Sequence, residues 1–174
     1  MKYTKPLRIL LITWLAIFAF CDYSVAQNNT DNKNDAKKHA FKNMVDSQHF
    51  VFVANSVNPT GGRFRNLTSS YDVTFLHDTL VSYLPYFGRA FSAPLNPTES
   101  VLDFTSRDFT YTVSPRKKEG WNVLVKLKDN HEVQQFLFTI FDNGSASLSV
   151  TLTSRDPISF NGTVKKQERK KKKK

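Results

Sequence analysis

Four histidines, His39, His49, His77 and His131, are the side chains of this sequence best suited to metal or proton chemistry, and they stand singly. No two have the HxH or HExxH spacing that turns imidazoles toward one zinc ion. Asp103 with Asp108, or Asp72 with Asp78, could divide general acid and base work between two carboxylates. Each of these aspartates lies beside a turn, however, where the side chain ordinarily bonds its own backbone. There is no nucleophile elbow, phosphate loop or calcium loop. The expectation is a protein that is not an enzyme and uses no metal and no cofactor.

Binding is better represented. Tyr83-Leu84-Pro85-Tyr86-Phe87-Gly88-Arg89-Ala90-Phe91 combines a proline that ends ladder pairing with a glycine that permits a sharp bend. Read as a binding surface, Tyr83, Tyr86, Phe87 and Phe91 offer stacking faces, and Arg89 offers donors to an anion or hydroxyl. Read as structure, the same aromatics fill a core where the strand bends and Arg89 caps carbonyls. Residues 92–107 follow, with Pro94 and Pro97 and no clear period, which reads as a binding loop or a connector. Val101, Leu102 and Phe104 would tuck part of it onto the body.

The second binding candidate is electrostatic. Of the net charge of +10, residues 165–174 supply most: Lys165, Lys166, Arg169, Lys170, Lys171, Lys172, Lys173 and Lys174 stand against Glu168 alone. Residues 27–164 hold 14 basic and 13 acidic side chains and are nearly neutral. A lysine run with no aromatic interleaving can hold anionic lipid head groups or lipopolysaccharide phosphates, at about 1 kcal/mol per basic residue before screening. It can equally be a solvated, disordered end.

The start of the chain sets where such binding would occur. Lys2, Lys5 and Arg8 precede the run Ile9 to Phe20, apolar except for Thr13, and Ser24-Val25-Ala26 offers small residues for cleavage before Gln27. That order is a secretory signal peptide over residues 1–26. Its apolar run is shorter than the roughly 20 residues a membrane-spanning helix needs. Cys21 is the only cysteine. The large Phe20 before it favours cleavage at Ala26 over lipidation at Cys21, which stays as the alternative. Cleavage at Ala26 leaves a chain without disulfides, thiol nucleophiles or cysteine zinc sites. The expected location is the periplasm or cell envelope, where no nucleic acid would be met. The expected role is a binding or interaction domain for an envelope ligand or partner protein that the sequence does not name. The alternative is a surface-associated structural protein held by its lysine tail.

The elements that must position these groups are mostly strands. Residues 27–35 have no apolar side chain and read as a polar linker. Residues 36–48 place Ala40, Phe41, Met44 and Val45 on one helical face. Thereafter the period is two. Phe50–Val57 ends at Asn58-Pro59-Thr60-Gly61-Gly62, and Tyr71–Leu76 and Thr79–Leu84 flank His77-Asp78 as a tight hairpin. Phe109, Tyr111 and Val113 share a face, as do Trp121, Val123, Val125 and Leu127 across a turn at Gly120. Val133–Phe141 and Ala146–Leu152 bracket Asp142-Asn143-Gly144-Ser145, where Asn-Gly suits positive φ. Ile158–Val164 is a last strand. The fold class predicted is α+β: a mainly antiparallel β meander of about seven to eight short strands, with one N-terminal helix packed on it. Residues 36–164 form the single domain and residues 165–174 the basic tail.

Four segments occur in an order that resembles a known family: Tyr83-Leu84-Pro85-Tyr86-Phe87-Gly88-Arg89-Ala90, Gly120-Trp121-Asn122-Val123, Gly144-Ser145-Ala146-Ser147-Leu148-Ser149-Val150, and Arg155-Asp156-Pro157-Ile158-Ser159-Phe160-Asn161-Gly162. They are similar to the exported bacterial family catalogued as domain of unknown function 4251, over roughly residues 36–164. The resemblance implies a Gram-negative envelope and one domain. It implies no activity and no catalytic residue. The lysine tail is outside it.

Overall fold

Strand formation follows the period-two alternation closely. The computed structural model of the chain describes residues 38–91 and 100–167. The leader with Cys21, the Ala26–Gln27 cut, the linker, the stretch 92–99, and Arg169 and Lys170 to Lys174 lie outside the described residues. The chain divides into a unit of residues 1–39 and a unit of residues 40–174. Among the described residues the second holds nine strands: β1 Phe50–Pro59, β2 Arg65–Leu76, β3 Thr79–Tyr83, β4 Asp103–Ser106, β5 Phe109–Pro115, β6 Trp121–Leu127, β7 Val133–Ile140, β8 Ser145–Leu152 and β9 Ile158–Lys166. A helix, α1, covers residues 38–46.

All pairings are antiparallel, in the order β4-β3-β2-β1-β9-β8-β7-β6-β5. Every neighbour but one is a neighbour in sequence, so the sheet is a meander. The exception, β1 with β9, joins the two ends of the domain. The outer strands β4 and β5 are consecutive in the chain, and the sheet therefore curls nearly into a barrel that is open between them. Closure removes most of the exposed ladder that an open sheet would present.

The strand count is one higher than the sequence pattern suggests. Asp103–Ser106, expected to lie in an irregular connection, is strand β4, paired with β3 from Leu80↔Ser106 to Tyr83↔Asp103. Four residues are too few for alternation to register. Its place is fixed by contacts from afar: the Ser82 hydroxyl donates to the Leu102 carbonyl at 2.7 Å, and Ser100 donates to the Leu84 carbonyl at 2.6 Å. Leu102 is fully buried.

The inside of the curl is packed. Phe50, Phe52, Phe75, Phe136, Phe138 and Phe160 are all fully buried, each worth about 1.5–3 kcal/mol relative to exposure. Phe75 meets Phe138 edge to face at 5.6 Å and Tyr111 at 5.6 Å. Val123 and Val125 of β6, Leu148 and Val150 of β8, and Ile158 of β9 complete the core, as their alternation predicts. Across the open seam, Phe104 of β4 packs on Phe136 at 6.0 Å and Phe109 of β5 on Phe75 at 6.4 Å. Side chains close the barrel where the ladder does not.

One carboxylate secures the seam. Asp129 accepts hydrogen bonds from the Ser106 hydroxyl at 2.6 Å, the Arg107 amide at 2.9 Å and the Asp108 amide at 3.2 Å. Burial works against its charge, but these donors outweigh it and hold the carboxyl below its ordinary range. The turn at Asn143-Gly144 differs in detail from expectation. Only Gly144 takes positive φ, at 84°, while Asn143 accepts from the Ser145 amide and hydroxyl. The Phe41 ring lies directly over Gly144, leaving no room for a Cβ.

Candidate functional site

Helix α1 owes its end to a Schellman turn, in which Gln48 takes the left-handed conformation at φ 52°. The Gln48 amide donates to the Val45 carbonyl at 3.1 Å and the His49 amide to the Met44 carbonyl at 3.3 Å. Such caps favour glycine, and glutamine here adopts a costlier conformation. His77, between β2 and β3, is also left-handed, at φ 60°. Its amide donates to the Gln48 carbonyl at 2.9 Å. Two non-glycine residues in a strained region are thus bonded to each other. The bond holds the helix end against the β2–β3 turn and sets His49 and His77 on one wall.

That wall borders a cleft of about 900 Å³. Ala40, Phe41, Asn43, Met44 and Ser47 of α1 and its turn form one side. Val164, Lys165 and Lys166 at the end of β9 form the other, with His49 and His77 at the rim. β9 continues past Val164 through Lys166, pairing Lys165 with Val51 and Lys166 with Phe50. The first two lysines of the basic run therefore stand on a strand. Lys166 shares its side of the sheet with Val164 by strand alternation. The cleft has an apolar floor of Phe41, Met44 and Val164 and a basic rim, with no carboxylate among the described lining residues. An anion is the chemical complement of that rim.

The helix side of the cleft is anchored from β5. The Tyr111 hydroxyl donates to the Val45 carbonyl at 2.8 Å, and Val45 is fully buried. Burial, and then the charge of Asp46, push the Tyr111 phenol well above its usual range. Asp46 itself pairs with Lys42 at 2.5 Å.

The aromatic bend is a separate place, and none of its five candidates lines the cleft. Tyr86 is half-buried, and its hydroxyl is shared between the Arg89 carbonyl at 2.9 Å and the Asp156 carbonyl at 3.0 Å. The Arg155 guanidinium lies over its ring, 5.3 Å from the centroid. Burial, then the charge of Asp156, raises the Tyr86 pKa. The Arg89 carbonyl accepts from the Asp156 amide at 3.0 Å, and the Phe91 amide donates to the Ser154 carbonyl at 2.9 Å. The bend is thereby fastened to the β8–β9 loop. The Tyr86 hydroxyl folds back onto the space a Cβ at Gly88 would take. Tyr83 points outward on β3, its ring 5.4 Å from Tyr71. Phe87 lies under the Arg65 guanidinium at 4.9 Å. Tyr83, Phe87 and Phe91 stay exposed, Phe91 at 70 %. Tyr86 serves the framework, while Tyr83, Phe87 and Phe91 each keep part of the ring exposed.

Among the described residues no three His, Cys, Asp or Glu side chains gather as metal ligands, and no helix is long and apolar enough to cross a membrane. Met44, Asn43, Ser47, His49 and His77 were not recognisable as a group from sequence. The two histidines are far apart along the chain, and the antiparallel pairing of β1 with β2, together with the Gln48–His77 bond, brings them together.

A family model described as a domain of unknown function, DUF4251, matches residues 32–164. A crystal structure of a DUF4251 family protein from Bacteroides eggerthii has a similar fold, with a TM-score of 0.54 and 14 % identity. The likeness covers 75 % of this chain and 88 % of that one. No curated protein matches the chain.

Proposed function

We propose, from the premise that the chain belongs to the DUF4251 family of bacterial domains of unknown function, that it is a non-catalytic binding protein of the cell envelope. It is exported by the leader at residues 1–26, and its binding site is the cleft between α1 and the end of β9. The observation that carries this reading is the cleft itself. Its wall is held by two non-glycine residues in left-handed backbone, Gln48 and His77. Strain of this kind persists where the surrounding structure enforces it, and it concentrates at ligand sites. The barrel interior, by contrast, is occupied by six fully buried phenylalanines.

The test is direct. Amide chemical shifts of the full exported chain are recorded with and without a small-molecule extract of the envelope of producing cells. Changes should centre on Met44, His49, His77 and Val164, and Met44→Trp, which fills the floor, should remove them. Changes confined to Tyr83, Phe87 and Phe91 would move the site to the bend; no changes would end the binding reading. Export has its own check: chain recovered from the envelope fraction should begin at Gln27. Recovery in the cytosol starting at Met1 would contradict it.

A second reading draws on Lys165 and Lys166, which lead from the cleft into Arg169 and Lys170 to Lys174. Here the chain is a surface-associated structural protein held to anionic lipid or lipopolysaccharide. Raised salt should then release it.

A further inference from the structure

We infer that the cleft accepts a single-chain anionic amphiphile, with its carboxylate or phosphate head at Lys166, at the end of β9, and its acyl chain along Phe41, Met44 and Val164. This rests on the reading that the cleft is a binding site. Three features on the cleft select the class. Its rim has Lys165, Lys166, His49 and His77 and, among the described residues, no carboxylate, so an anionic head is the one these lysines complement. Its floor is apolar, and Phe41 and Met44 are only partly buried against the core, which leaves their outer faces for a ligand to cover. Its volume of about 900 Å³ is within the range of about 300–1,000 Å³ typical of small-molecule sites. A small inorganic anion would use the rim and leave the floor wet. A sugar phosphate would set hydroxyls against the thioether of Met44 and the ring of Phe41. An acyl chain bearing one anionic head uses both.

The probes are decanoate, dodecanoate and dodecyl phosphate below their micelle concentrations, with dodecanol as the neutral match and inorganic phosphate as the head alone. Binding to the full exported chain is measured by calorimetry, and the contact residues by amide shifts. The anionic probes should bind at Met44, His49 and Val164, and dodecanoate should bind tighter than decanoate by about threefold to fourfold per added methylene. This series requires no variant. Lys165→Gln with Lys166→Gln should weaken dodecanoate by about tenfold and leave dodecanol unchanged, with an unchanged urea midpoint showing that β9 is intact.

If dodecanol binds the cleft as tightly as dodecanoate and the lysine changes do nothing, the anionic class is wrong while the cleft remains a binding site. If no probe moves a cleft residue although the envelope extract does, the amphiphile is again wrong and the site stands. If neither acts, both readings fall together. Vesicles of anionic and of zwitterionic lipid separate the remaining source. Attachment to anionic vesicles with no uptake of monomeric amphiphile overturns this inference in favour of a surface held by the lysine run.

Discussion

Tyr86 and Gly88 form a single device at the residue scale, since the hydroxyl that reaches Arg89 and Asp156 occupies the space over Gly88. Removing the hydroxyl in Tyr86→Phe should cost about 0.5–1.5 kcal/mol, the net worth of an ordinary hydrogen bond. Gly88→Ala should cost more in the native background, because the new Cβ meets that hydroxyl. In the Tyr86→Phe background the same change should cost less, as the obstructing atom is gone. A double-mutant cycle by urea denaturation reads this coupling, and strict additivity would refute the packing argument. The bend was legible in the sequence from Pro85 and Gly88. The fate of its aromatics was not, because the partners that decide it, Arg155 and Asp156, lie some 70 residues along the chain. Local pattern cannot distinguish a ring that docks on a distant loop from one left in water.

Two contacts between elements carry opposite pH signatures. Asp129, which joins the β6–β7 connection to the seam between β4 and β5, has its carboxyl pKa lowered in the fold. A group lowered in this way stabilises the fold above its unfolded pKa, and that contribution is lost as pH falls through the folded value. Asp129→Asn should therefore cost about 1 kcal/mol near neutrality, a figure kept small because the group is largely solvent-screened. The gap to the unaltered chain should narrow below about pH 4, as measured by urea midpoints between pH 3 and 7. Tyr111 has the reverse sign. Its phenol pKa is raised in the fold, so its contribution is fully present below the unfolded value near pH 10 and drains away as pH rises beyond it. Tyr111→Phe should flatten the alkaline limb of the stability curve, at the cost of the bond that caps α1 at Val45. An unchanged alkaline limb would mean that another group governs it. The helix and the hairpins were legible because their signals are local: Phe41, Met44 and Val45 at helical spacing, His77-Asp78 and Asn143-Gly144 between alternating runs. Strand β4 was not, since four residues beside two prolines carry no period and depend on Ser82 and Ser100 to hold them.

For the whole molecule, the pairing of β1 with β9 decides what can be removed. A meander can be read hairpin by hairpin, and the order β1 to β3 and β5 to β9 follows from adjacent alternating runs. The closure Phe52↔Val164 spans more than 100 residues and leaves no local mark in the sequence. It makes β9 an interior strand, flanked by β1 and β8, although it comes last in the chain. The boundary between fold and basic run therefore falls after Lys166, two residues beyond the point where hydrophobic alternation stops at Val164. Truncation after Gln167 removes Arg169 and Lys170 to Lys174 and keeps every residue of β9, and should leave the urea midpoint within experimental error. Truncation after Pro157 removes the whole of β9, takes Ile158, Phe160 and Val164 out of the core, and exposes the ladders of β1 and β8. That chain should lose cooperative unfolding altogether. Because Lys165 and Lys166 survive the shorter truncation, it should also keep its affinity for dodecanoate while losing salt-sensitive attachment to anionic vesicles. If both properties vanished together after Gln167, the cleft and the tail would be one binding surface, and the division between a ligand site on the strand and a tether beyond it would have to be abandoned.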